Sequence, residues 1–391
     1  MTSTTSDNRH FIPLSEPVIK GNEWKYAKDC LDTGWVSSVG GYVDRFERMI
    51  SDYTGIRYAV AAINGTSALH ICLLVCGVQP DDEIIVPALT FIAPVNAVRY
   101  CGANPVFIDS IRDTLCMDTG KVADFLANEC GQSSDGFTYN RRTKRRIKAL
   151  IAVHVFGHPV DMDELIEICG KNNINMIEDA TESLGSKYKG AKTGSFGKIG
   201  CFSFNGNKII TTGGGGMIVT NDDNIGNKAR HLTTQARCDS LEYDHDEIGY
   251  NYRLTNIQAA IGVAQMEKLE RFIQIKRENA RLYGELLSEI KGVEFFKEKE
   301  WARSNYWFYT IKVPENHKNP LIQHLLSRNI QVRPIWKPIH TLPMYKKYQT
   351  FKMNNAISAY NSCLNLPCSV NLKKEEIKIV VHHIEEYFKN S

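Results

Sequence analysis

Segments typical of buried strands alternate with segments typical of helices through the first two thirds of this 391-residue chain. Helical periodicity is clearest at residues 68–76, 92–100 and 163–171. Strands that alternate with helices pack into a parallel sheet that is covered on both faces. We therefore predict an α/β fold with a mainly parallel, seven-stranded sheet, whose strands lie at residues 57–63, 83–87, 105–108, 149–155, 174–177, 201–204 and 217–220.

The last third of the chain has a different pattern. A long helical stretch follows Thr255 and runs towards Ile290. Further on come two strand-like segments and a closing helix, at residues 306–313, 330–335 and 375–388. Since a chain of this length exceeds one core of ordinary size, we predict two domains. The large domain is expected at residues 10–260 and a smaller α+β domain at residues 261–391.

The charge and the hydropathy pattern exclude several classes of partner. A net charge of +3 is too small to indicate binding to nucleic acid or to a membrane surface. Residues 1–9 are polar and lack the apolar core of a signal peptide. The most apolar region, residues 58–78, is interrupted by polar side chains and is not typical of a membrane span. We predict a cytoplasmic protein that binds neither nucleic acid nor membrane.

The cysteines and histidines do not predict a metal site or a disulfide framework. Eleven cysteines are scattered singly, and an odd number without regular spacing is typical of reduced thiols. Cys72 and Cys76 share one helical face without further ligands nearby, so we assign them to the core. His154 and His158 lack a glutamate in metalloprotease position, and we interpret both as hydrogen-bonded histidines at a strand end.

One polar segment, residues 131–148, interrupts the strand and helix alternation and ends in a run of arginines and lysines. Charge runs usually lie on exposed faces, so we interpret the segment as a solvated surface hairpin. An anion-binding patch is the alternative.

An aspartate and a lysine stand where pyridoxal phosphate chemistry needs them. Asp179 lies two residues after the apolar strand predicted at residues 174–177. Lys208 lies in the loop that follows another predicted strand. A Schiff base with the cofactor aldehyde requires an amine that is desolvated enough to be partly neutral. A carboxylate that faces the pyridine nitrogen keeps the ring protonated and able to withdraw electrons. We therefore predict an enzyme with Lys208 and Asp179 as its catalytic residues.

A turn between a strand and a helix carries Gly65, Thr66 and Ser67. Backbone N–H groups, the helix dipole and two hydroxyl groups form a suitable site for the cofactor phosphate. Such turns are also common helix N-caps. Ser203, five residues before Lys208, is a candidate for a further hydroxyl on the same phosphate.

The glycines after Lys208, at residues 213–216, do not fit a nucleotide triphosphate loop, in which the glycines precede the lysine. We interpret them as backbone that passes close to a bound ring. Phe91 follows a buried strand, and by itself it is typical of the core. Trp336 and His340 lie in a proline-stiffened, aromatic loop of the kind that often forms binding sites.

Five motifs in order give the chain a resemblance to the DegT/DnrJ/EryC1/StrS family of sugar-nucleotide aminotransferases. The motifs are Gly65–Leu69, Pro87–Phe91, Glu178–Gly185, Ser203–Lys208 with the glycine run, and Gly249–Arg253. The similarity extends from about Ile12 to Tyr345. It implies the fold type I of the pyridoxal-phosphate-dependent aspartate aminotransferases.

The resemblance implies a role for each matching residue. Lys208 is the Schiff-base lysine, Asp179 faces the pyridine nitrogen, Phe91 stacks on the ring and Glu182 lies near the phenolic oxygen. Asn251 reaches the phosphate of the neighbouring subunit, which implies a homodimer with shared sites. The implied cofactor-binding set is Gly65, Thr66, Ser67, Phe91, Asp179, Glu182, Ser203, Lys208 and Asn251. The implied substrate contacts are Trp35, Ser37, Arg253, Trp336 and His340.

Residues 11–40, the insertion before Ala149 and residues 153–163 are most similar to one branch of the family. That branch aminates C4 of a UDP-linked 4-keto-6-deoxy-N-acetylhexosamine, on routes to bacillosamine or legionaminic acid. The implied reaction transfers the amino group of L-glutamate to this nucleotide sugar for cell-surface glycans such as lipopolysaccharide O-antigen.

Three alternatives remain open from the sequence. The first is a GDP- or dTDP-linked sugar with a 4-keto or 3-keto group. The second is a PLP/PMP-dependent sugar dehydratase, although such family members have histidine in place of the lysine that this chain has at position 208. The third is a binding or regulatory protein on the same fold, against which the intact Lys208 and Asp179 argue.

Overall fold

A computed structural model of the chain describes residues 10–239 and 241–391. The α-helices in this part of the chain are α1 (Glu23–Thr33), α2 (Gly41–Thr54), α3 (Gly65–Val75), α4 (Ala93–Tyr100), α5 (Thr119–Glu129), α6 (Met162–Lys171), α7 (Asp223–Thr233), α8 (Asn256–Met266), α9 (Leu269–Leu287), α10 (Glu315–Ser327), α11 (Asn355–Ser362) and α12 (Lys374–Lys389). Polar caps begin several of them: Asp222 accepts two backbone N–H groups at the start of α7.

The strands of the described residues are short and are distributed over four sheets. They are β1 (Tyr58–Ala62), β2 (Glu83–Pro87), β3 (Asn104–Ile108), β4 (Cys130–Gln132), β5 (Thr138–Asn140), β6 (Ile147–Val153), β7 (Asn175–Asp179), β8 (Lys187–Tyr188), β9 (Ala191–Lys192), β10 (Ile199–Ser203), β11 (Gly216–Thr220), β12 (Glu294–Phe295), β13 (Ala302–Arg303), β14 (Tyr309–Lys312), β15 (Arg333–Pro334), β16 (Thr350–Phe351) and β17 (Cys363–Leu366).

The largest sheet has the strand order β1-β11-β10-β7-β6-β2-β3-β16. Neighbours from β10 to β16 pair in parallel, whereas β11 is antiparallel to both β1 and β10. The predicted α/β fold with a mainly parallel, seven-stranded sheet is confirmed. The two-residue β16, which has too few residues to show a period, adds an eighth strand at the edge.

Alternating side chains of the sheet enter two hydrophobic clusters. Met217 and Val219 of β11 pack with residues of α2 and α8, whereas Ile218 between them belongs to the cluster that contains α3. This alternation follows from the period of two along a strand. The sheet is therefore buried on both faces, as the apolar strand runs predict.

Four of the predicted strands end at one edge of the sheet. β7 ends at Asp179, β10 at Ser203 and β2 at Pro87, and these strands run in the same direction. β1 also points this way, because it is antiparallel to β11, which is antiparallel to β10. The carboxyl ends of parallel strands are the usual ligand edge of an α/β sheet.

The C-terminal part forms a second sheet in the order β12-β14-β17-β15, which packs with α9 and α10, and α12 packs on both helices. The prediction of one long helix after Thr255 is wrong, because α8 ends at Met266 and α9 begins at Leu269. α8 packs on α1 and α2, whereas α9 packs on α12 and β12. The two helices therefore pack against different parts of the protein. The division of the chain at residue 260 stays a prediction; that position lies inside α8.

The strand predicted at residues 330–335 is only Arg333–Pro334 in the structure. Ile330 instead pairs with Ile12 in an isolated bridge, and Pro334 has no N–H to extend the ladder. The N-terminal segment therefore contacts the C-terminal part.

The predictions of reduced cysteines and of an exposed basic hairpin are confirmed. All eleven cysteines are free, and Cys72 and Cys76 are buried in the core. β4 and β5 form the predicted hairpin, and Arg141, Arg142 and Lys144 beside it are exposed. Within residues 10–239 and 241–391, no helix combines the length and apolarity that a bilayer span needs.

Candidate active site

Lys208 lies in the loop that connects β10 to β11, at the carboxyl edge of the large sheet. The loop is closed by backbone hydrogen bonds from Phe204 N to Gly215 O at 2.8 Å and from Thr212 N to Phe204 O at 2.9 Å. The Lys208 side chain is 12% exposed. Burial lowers the pKa of the amine, and the carboxylates of Glu182 and Asp179 oppose that shift. The amine is thus easier to deprotonate than a surface lysine, as a nucleophile requires.

Trp307 holds this lysine from the C-terminal part of the chain. Lys208 Nζ lies 3.9 Å from the centroid of the Trp307 ring, a cation–π contact. The indole Nε1–H donates to the carbonyl of Asn207 at 2.7 Å. Asn305 is fully buried, accepts the Trp307 N–H at 2.9 Å and donates to the carbonyl oxygens of Glu182 and Leu184. The backbone and the side chain of the lysine are therefore positioned together.

Asp179 is the last residue of β7 and is 2% exposed. Its Oδ1 accepts the Thr181 N–H at 3.1 Å. Burial raises the pKa of the Asp179 carboxyl, while Thr181 and Lys208 lower it. A buried carboxylate of this kind is stabilised by a cationic partner.

Glu182 approaches the lysine from the loop after β7. Its Oε1 lies 3.7 Å from Lys208 Nζ, and its Oε2 accepts the Phe156 N–H at 2.8 Å. Burial raises the pKa of Glu182. Phe156 has a positive φ of 55°, a strained conformation for an aromatic residue, and this geometry directs its N–H to the carboxylate.

The turn after β1 carries Gly65, Thr66 and Ser67 at the start of α3. Asn64 caps the helix, since its side-chain oxygen accepts the Ser67 N–H at 2.8 Å. The N–H groups at the first positions of a helix have no intrahelical acceptor and attract anions. A Cβ at Gly65 would lie 2.9 Å from the Cβ of Ser203, so this position requires glycine and brings the two predicted phosphate residues together.

A cavity of about 330 Å³ opens beside this turn. It is lined by Asn64, Thr66, Ser67, His70, Tyr100 and Tyr252. Two of the predicted cofactor residues, Thr66 and Ser67, therefore face open space that is rich in hydrogen-bonding groups.

Aromatic side chains form a wall beside Lys208. The Trp336 ring lies 4.5 Å from Phe156 and 6.4 Å from both Trp307 and Phe91, between ring centroids. Phe91 is 54% exposed, so its assignment to the core is wrong. An exposed ring at the end of β2 is instead free to stack on a planar ligand.

The other residues predicted to contact the substrate or the neighbouring subunit make contacts of their own. The His340 ring is 6.2 Å from Phe107, and its buried Nδ1 has no hydrogen-bond partner among the described residues. Trp35 and Ser37 are exposed, and their carbonyl oxygens accept hydrogen bonds from Asn256.

Arg253 is half-buried and lies 3.8 Å from Asp44, whereas Asn251 is exposed. Within residues 10–239 and 241–391, Trp35, Ser37, Asn251 and Arg253 form no hydrogen bond or ion pair with Lys208 or Asp179.

The two histidines near the end of β6 have structural surroundings. His154 Nε2 lies 3.0 Å from a Glu178 oxygen, and its Nδ1 accepts the Val160 N–H at 3.1 Å. This confirms His154 as a hydrogen-bonded histidine. His158 is buried, and its Nδ1 has no hydrogen-bond partner among the described residues, so the predicted hydrogen bonding is wrong for this nitrogen. Burial lowers the pKa of His158 to about 4.

Trp307, Asn305, Phe156 and Thr181 contact the site, but sequence reasoning did not find them. Trp307 lies in an aromatic run that reads as a strand, and the strand itself begins only at Tyr309. Thr181 could have been predicted from the sequence, because it is only two residues from Asp179. The other contacts join residues that are distant in sequence.

The residues present fit pyridoxal phosphate. A buried amine and a buried carboxylate lie at one sheet edge, and a helix N-terminus that accepts anions lies beside them. Because Gly65 has no side chain, Ser203 lies close to that terminus and provides a hydroxyl group beside it. The amine suits the aldehyde of the cofactor, the carboxylate suits its pyridine nitrogen, and the helix N-terminus suits its phosphate.

Comparison with known proteins agrees with this geometry. A GDP-perosamine synthase of Escherichia coli O157:H7 is 39% identical over 97% of this chain and 99% of its own length. A UDP-4-amino-4,6-dideoxy-N-acetyl-beta-L-altrosamine transaminase of Campylobacter jejuni is 32% identical over 91% of each chain.

A Streptococcus pneumoniae protein solved in a PLP form and a PMP form has a TM-score of 0.88 at 25% identity; in its PMP form the match covers 97% of this chain and 98% of that one. The family model for the DegT/DnrJ/EryC1/StrS aminotransferases matches residues 17–385. This match confirms the sequence resemblance, and the enzyme uses pyridoxal phosphate as its cofactor. The chain belongs to the DegT/DnrJ/EryC1/StrS aminotransferase family and is a pyridoxal-phosphate-dependent sugar aminotransferase.

Proposed function

We propose that this enzyme transfers an amino group from L-glutamate to C4 of a nucleotide-linked 4-keto-6-deoxy sugar. The observation that carries the proposal is the buried amine of Lys208, 3.7 Å from Glu182 and in electrostatic contact with the buried Asp179. Transamination needs such a lysine, and a sugar dehydratase of this family has histidine in its place. Glutamate is proposed because it is the usual amino donor of the family.

The roles of the chain's own side chains follow from their positions. When bound, pyridoxal phosphate supplies a ring that withdraws electrons from the substrate carbon. Asp179 would face the pyridine nitrogen and keep it protonated, and Lys208 Nζ would hold the aldehyde and move the proton of the substrate carbon. Thr66, Ser67 and Ser203 would hold the phosphate.

The aromatic and acidic residues around Lys208 complete the site. Glu182 accepts the Phe156 N–H through one oxygen, and its other oxygen lies towards Lys208. With the cofactor bound, Glu182 would lie near the phenolic oxygen. Phe91 would stack on the cofactor ring, and Trp336, whose ring centroid lies 6.4 Å from that of Phe91, would help to exclude water. His340 shares the Trp336 loop and is proposed, with Trp35, Ser37 and Arg253, to contact the nucleotide sugar.

The nucleotide is proposed to be GDP. The relative named as a GDP-perosamine synthase is 39% identical to the chain, against 32% for the relative named as a UDP-sugar transaminase. The UDP-linked N-acetylhexosamine predicted from the sequence is the second candidate, supported by that Campylobacter relative.

A panel of GDP-, UDP- and dTDP-linked 4-keto-6-deoxy sugars with glutamate tests the proposal. We expect kcat/KM to be at least about tenfold higher for the GDP sugar, since pocket contacts typically discriminate by about 10- to 200-fold. NMR of the product should show a new amine at C4 on an intact carbon skeleton. A preference for the UDP sugar would overturn the nucleotide assignment, and loss of oxygen without gain of nitrogen would show dehydration.

We further propose a homodimer in which Asn251 contacts the cofactor phosphate of the partner. Asn251 is exposed, and the segment before it carries the apolar side chains Leu241, Tyr243 and Ile248, which are 85%, 69% and 82% exposed. So much exposed apolar surface in one short segment is typical of an interface. A second copy of the chain is the occupant that lets Asn251 complete a site.

Mixing two inactive variants tests the shared site. Lys208→Ala removes the amine, and Asn251→Asp puts a carboxylate against the phosphate of the partner. We expect each variant alone to be inactive, and a mixture to regain about a quarter of the wild-type activity through random pairing in a symmetric dimer. Self-mixing of each variant is the control. A mixture that stays inactive although ultracentrifugation shows dimers would contradict the shared site.

We also propose that the enzyme acts in the cytoplasm. Ten of its eleven free cysteines are buried as thiols, which fits a reducing compartment.

A further inference from the structure

Two helices of the C-terminal part bring three potential metal ligands together. His324 lies on α10, and His383 and Glu386 lie on α12. His383 Nδ1 is 2.9 Å and His324 Nε2 is 3.7 Å from the same oxygen, Glu386 Oε2. The three ligand atoms all lie within 4.8 Å of one another.

The spacing fits a small divalent cation. Zinc binds histidine nitrogen and carboxylate oxygen at about 2.0–2.2 Å, which places two ligands of a tetrahedral site about 3.4 Å apart. The separations of 2.9 Å and 3.7 Å from Glu386 Oε2 to the two histidine nitrogens lie on either side of that value. A set of two histidines and one carboxylate is a usual protein donor set for zinc, with a water molecule at the fourth position.

Of these three side chains, His324 is the one whose hydrogen bonding within the described residues is incomplete. Its Nε2 is buried and has no hydrogen-bond partner among the described residues. A cation beside this nitrogen would supply the partner that it lacks.

Arg328 fixes the orientation of the carboxylate. Its Nη2 lies 3.3 Å from Glu386 Oε1, while Oε2 faces the two histidines. A partner that binds the other oxygen of a carboxylate ligand orients that ligand. The guanidinium charge also repels a cation, so we expect moderate rather than tight binding.

We propose that His324, His383 and Glu386 form a binding site for one divalent cation of the zinc type, which links α10 to α12. The three side chains are 21%, 22% and 32% exposed, so an ion can reach the site from solvent. The site is separate from Lys208 and does not depend on the proposed function. Its expected effect is to stabilise the C-terminal part against unfolding.

Metal titration of the full-length protein, with its cofactor bound and after dialysis against a chelator, tests the site. We expect calorimetry with Zn²⁺ to show one ion per chain, and Co²⁺ to give the visible absorption bands of a tetrahedral site. Zn²⁺ should also raise the melting temperature. His324→Ala, His383→Ala and Glu386→Gln should each weaken Zn²⁺ binding by at least about tenfold.

The chain offers two matched controls. His382 is adjacent to His383 on α12 and is exposed, so His382→Ala should bind Zn²⁺ as the wild type does. His231, Asp246 and Glu247 form a second histidine and carboxylate group, but Lys228 also contacts Glu247 there. Because Glu386→Gln keeps the size of the side chain, it separates loss of a ligand from loss of folding.

The proposal is overturned if the wild type binds no Zn²⁺, or if Glu386→Gln binds it unchanged. It is also overturned if His231→Ala, rather than the α10 and α12 variants, abolishes binding. Unchanged circular dichroism of each variant without metal is required for a loss of binding to count in its favour.

Discussion

Lys208→Ala should abolish transamination, with kcat lowered by more than about a thousandfold. The variant loses the nucleophile that binds the aldehyde and the group that transfers the proton, and proton transfer alone contributes about 10²- to 10⁴-fold. The loss should appear in kcat, since the phosphate site at α3 is untouched. Single-turnover kinetics with the nucleotide sugar and glutamate measures it.

Covalent labelling identifies the lysine directly. Borohydride reduction of the wild type with pyridoxal phosphate should attach the label to residue 208, and peptide mapping should find none there in Lys208→Ala. Lys198→Ala is the matched control, because Lys198 is exposed and lies ten residues away in the same region. A label elsewhere in the wild type, or substantial activity in Lys208→Ala, would disprove the role of Lys208.

Asp179→Asn should lower kcat by about 10- to 150-fold while the fold is retained. The amide is nearly isosteric, but it cannot carry the negative charge that stabilises a protonated pyridine nitrogen. Charge-assisted hydrogen bonds contribute about 1.5–3 kcal/mol, and each 1.36 kcal/mol corresponds to tenfold in rate. Steady-state kinetics with saturating cofactor measures the loss.

The same substitution should not lower the stability of the cofactor-free protein. Burial raises the pKa of Asp179, so ionisation of this carboxyl costs folding free energy. That cost increases as the pH rises from the unfolded-state pKa to the raised folded-state pKa, and at neutral pH asparagine removes it. Thermal unfolding without cofactor should therefore give an equal or higher melting temperature for Asp179→Asn.

Asp163→Asn is the control for Asp179→Asn. Asp163 is exposed on α6 and pairs with Lys189, so its loss should change neither kcat nor the melting temperature appreciably. If Asp179→Asn kept full activity, the assignment of Asp179 to the pyridine nitrogen would be wrong.

The central strands were predictable because each is a short apolar run that is buried on both faces. β2 has the predicted bounds, and β7 differs from its prediction by one or two residues at each end. The break between α8 and α9 was not predictable, because neither glycine nor proline marks Glu267 and Lys268. There the packing partners, rather than the local sequence, end the helix.

Asp179 and Lys208 could be proposed as catalytic residues from the sequence alone, since Asp179 ends a recognisable strand, Lys208 lies in the loop after another, and their chemistry is specific. The local sequence also determined Gly65, because a turn before a helix has a recognisable composition. Only the tertiary structure decided that Trp307 packs on Lys208 and that His324 lies beside Glu386. These contacts join residues about 100 and 60 positions apart, and side-chain packing between distant segments leaves no local period in the sequence.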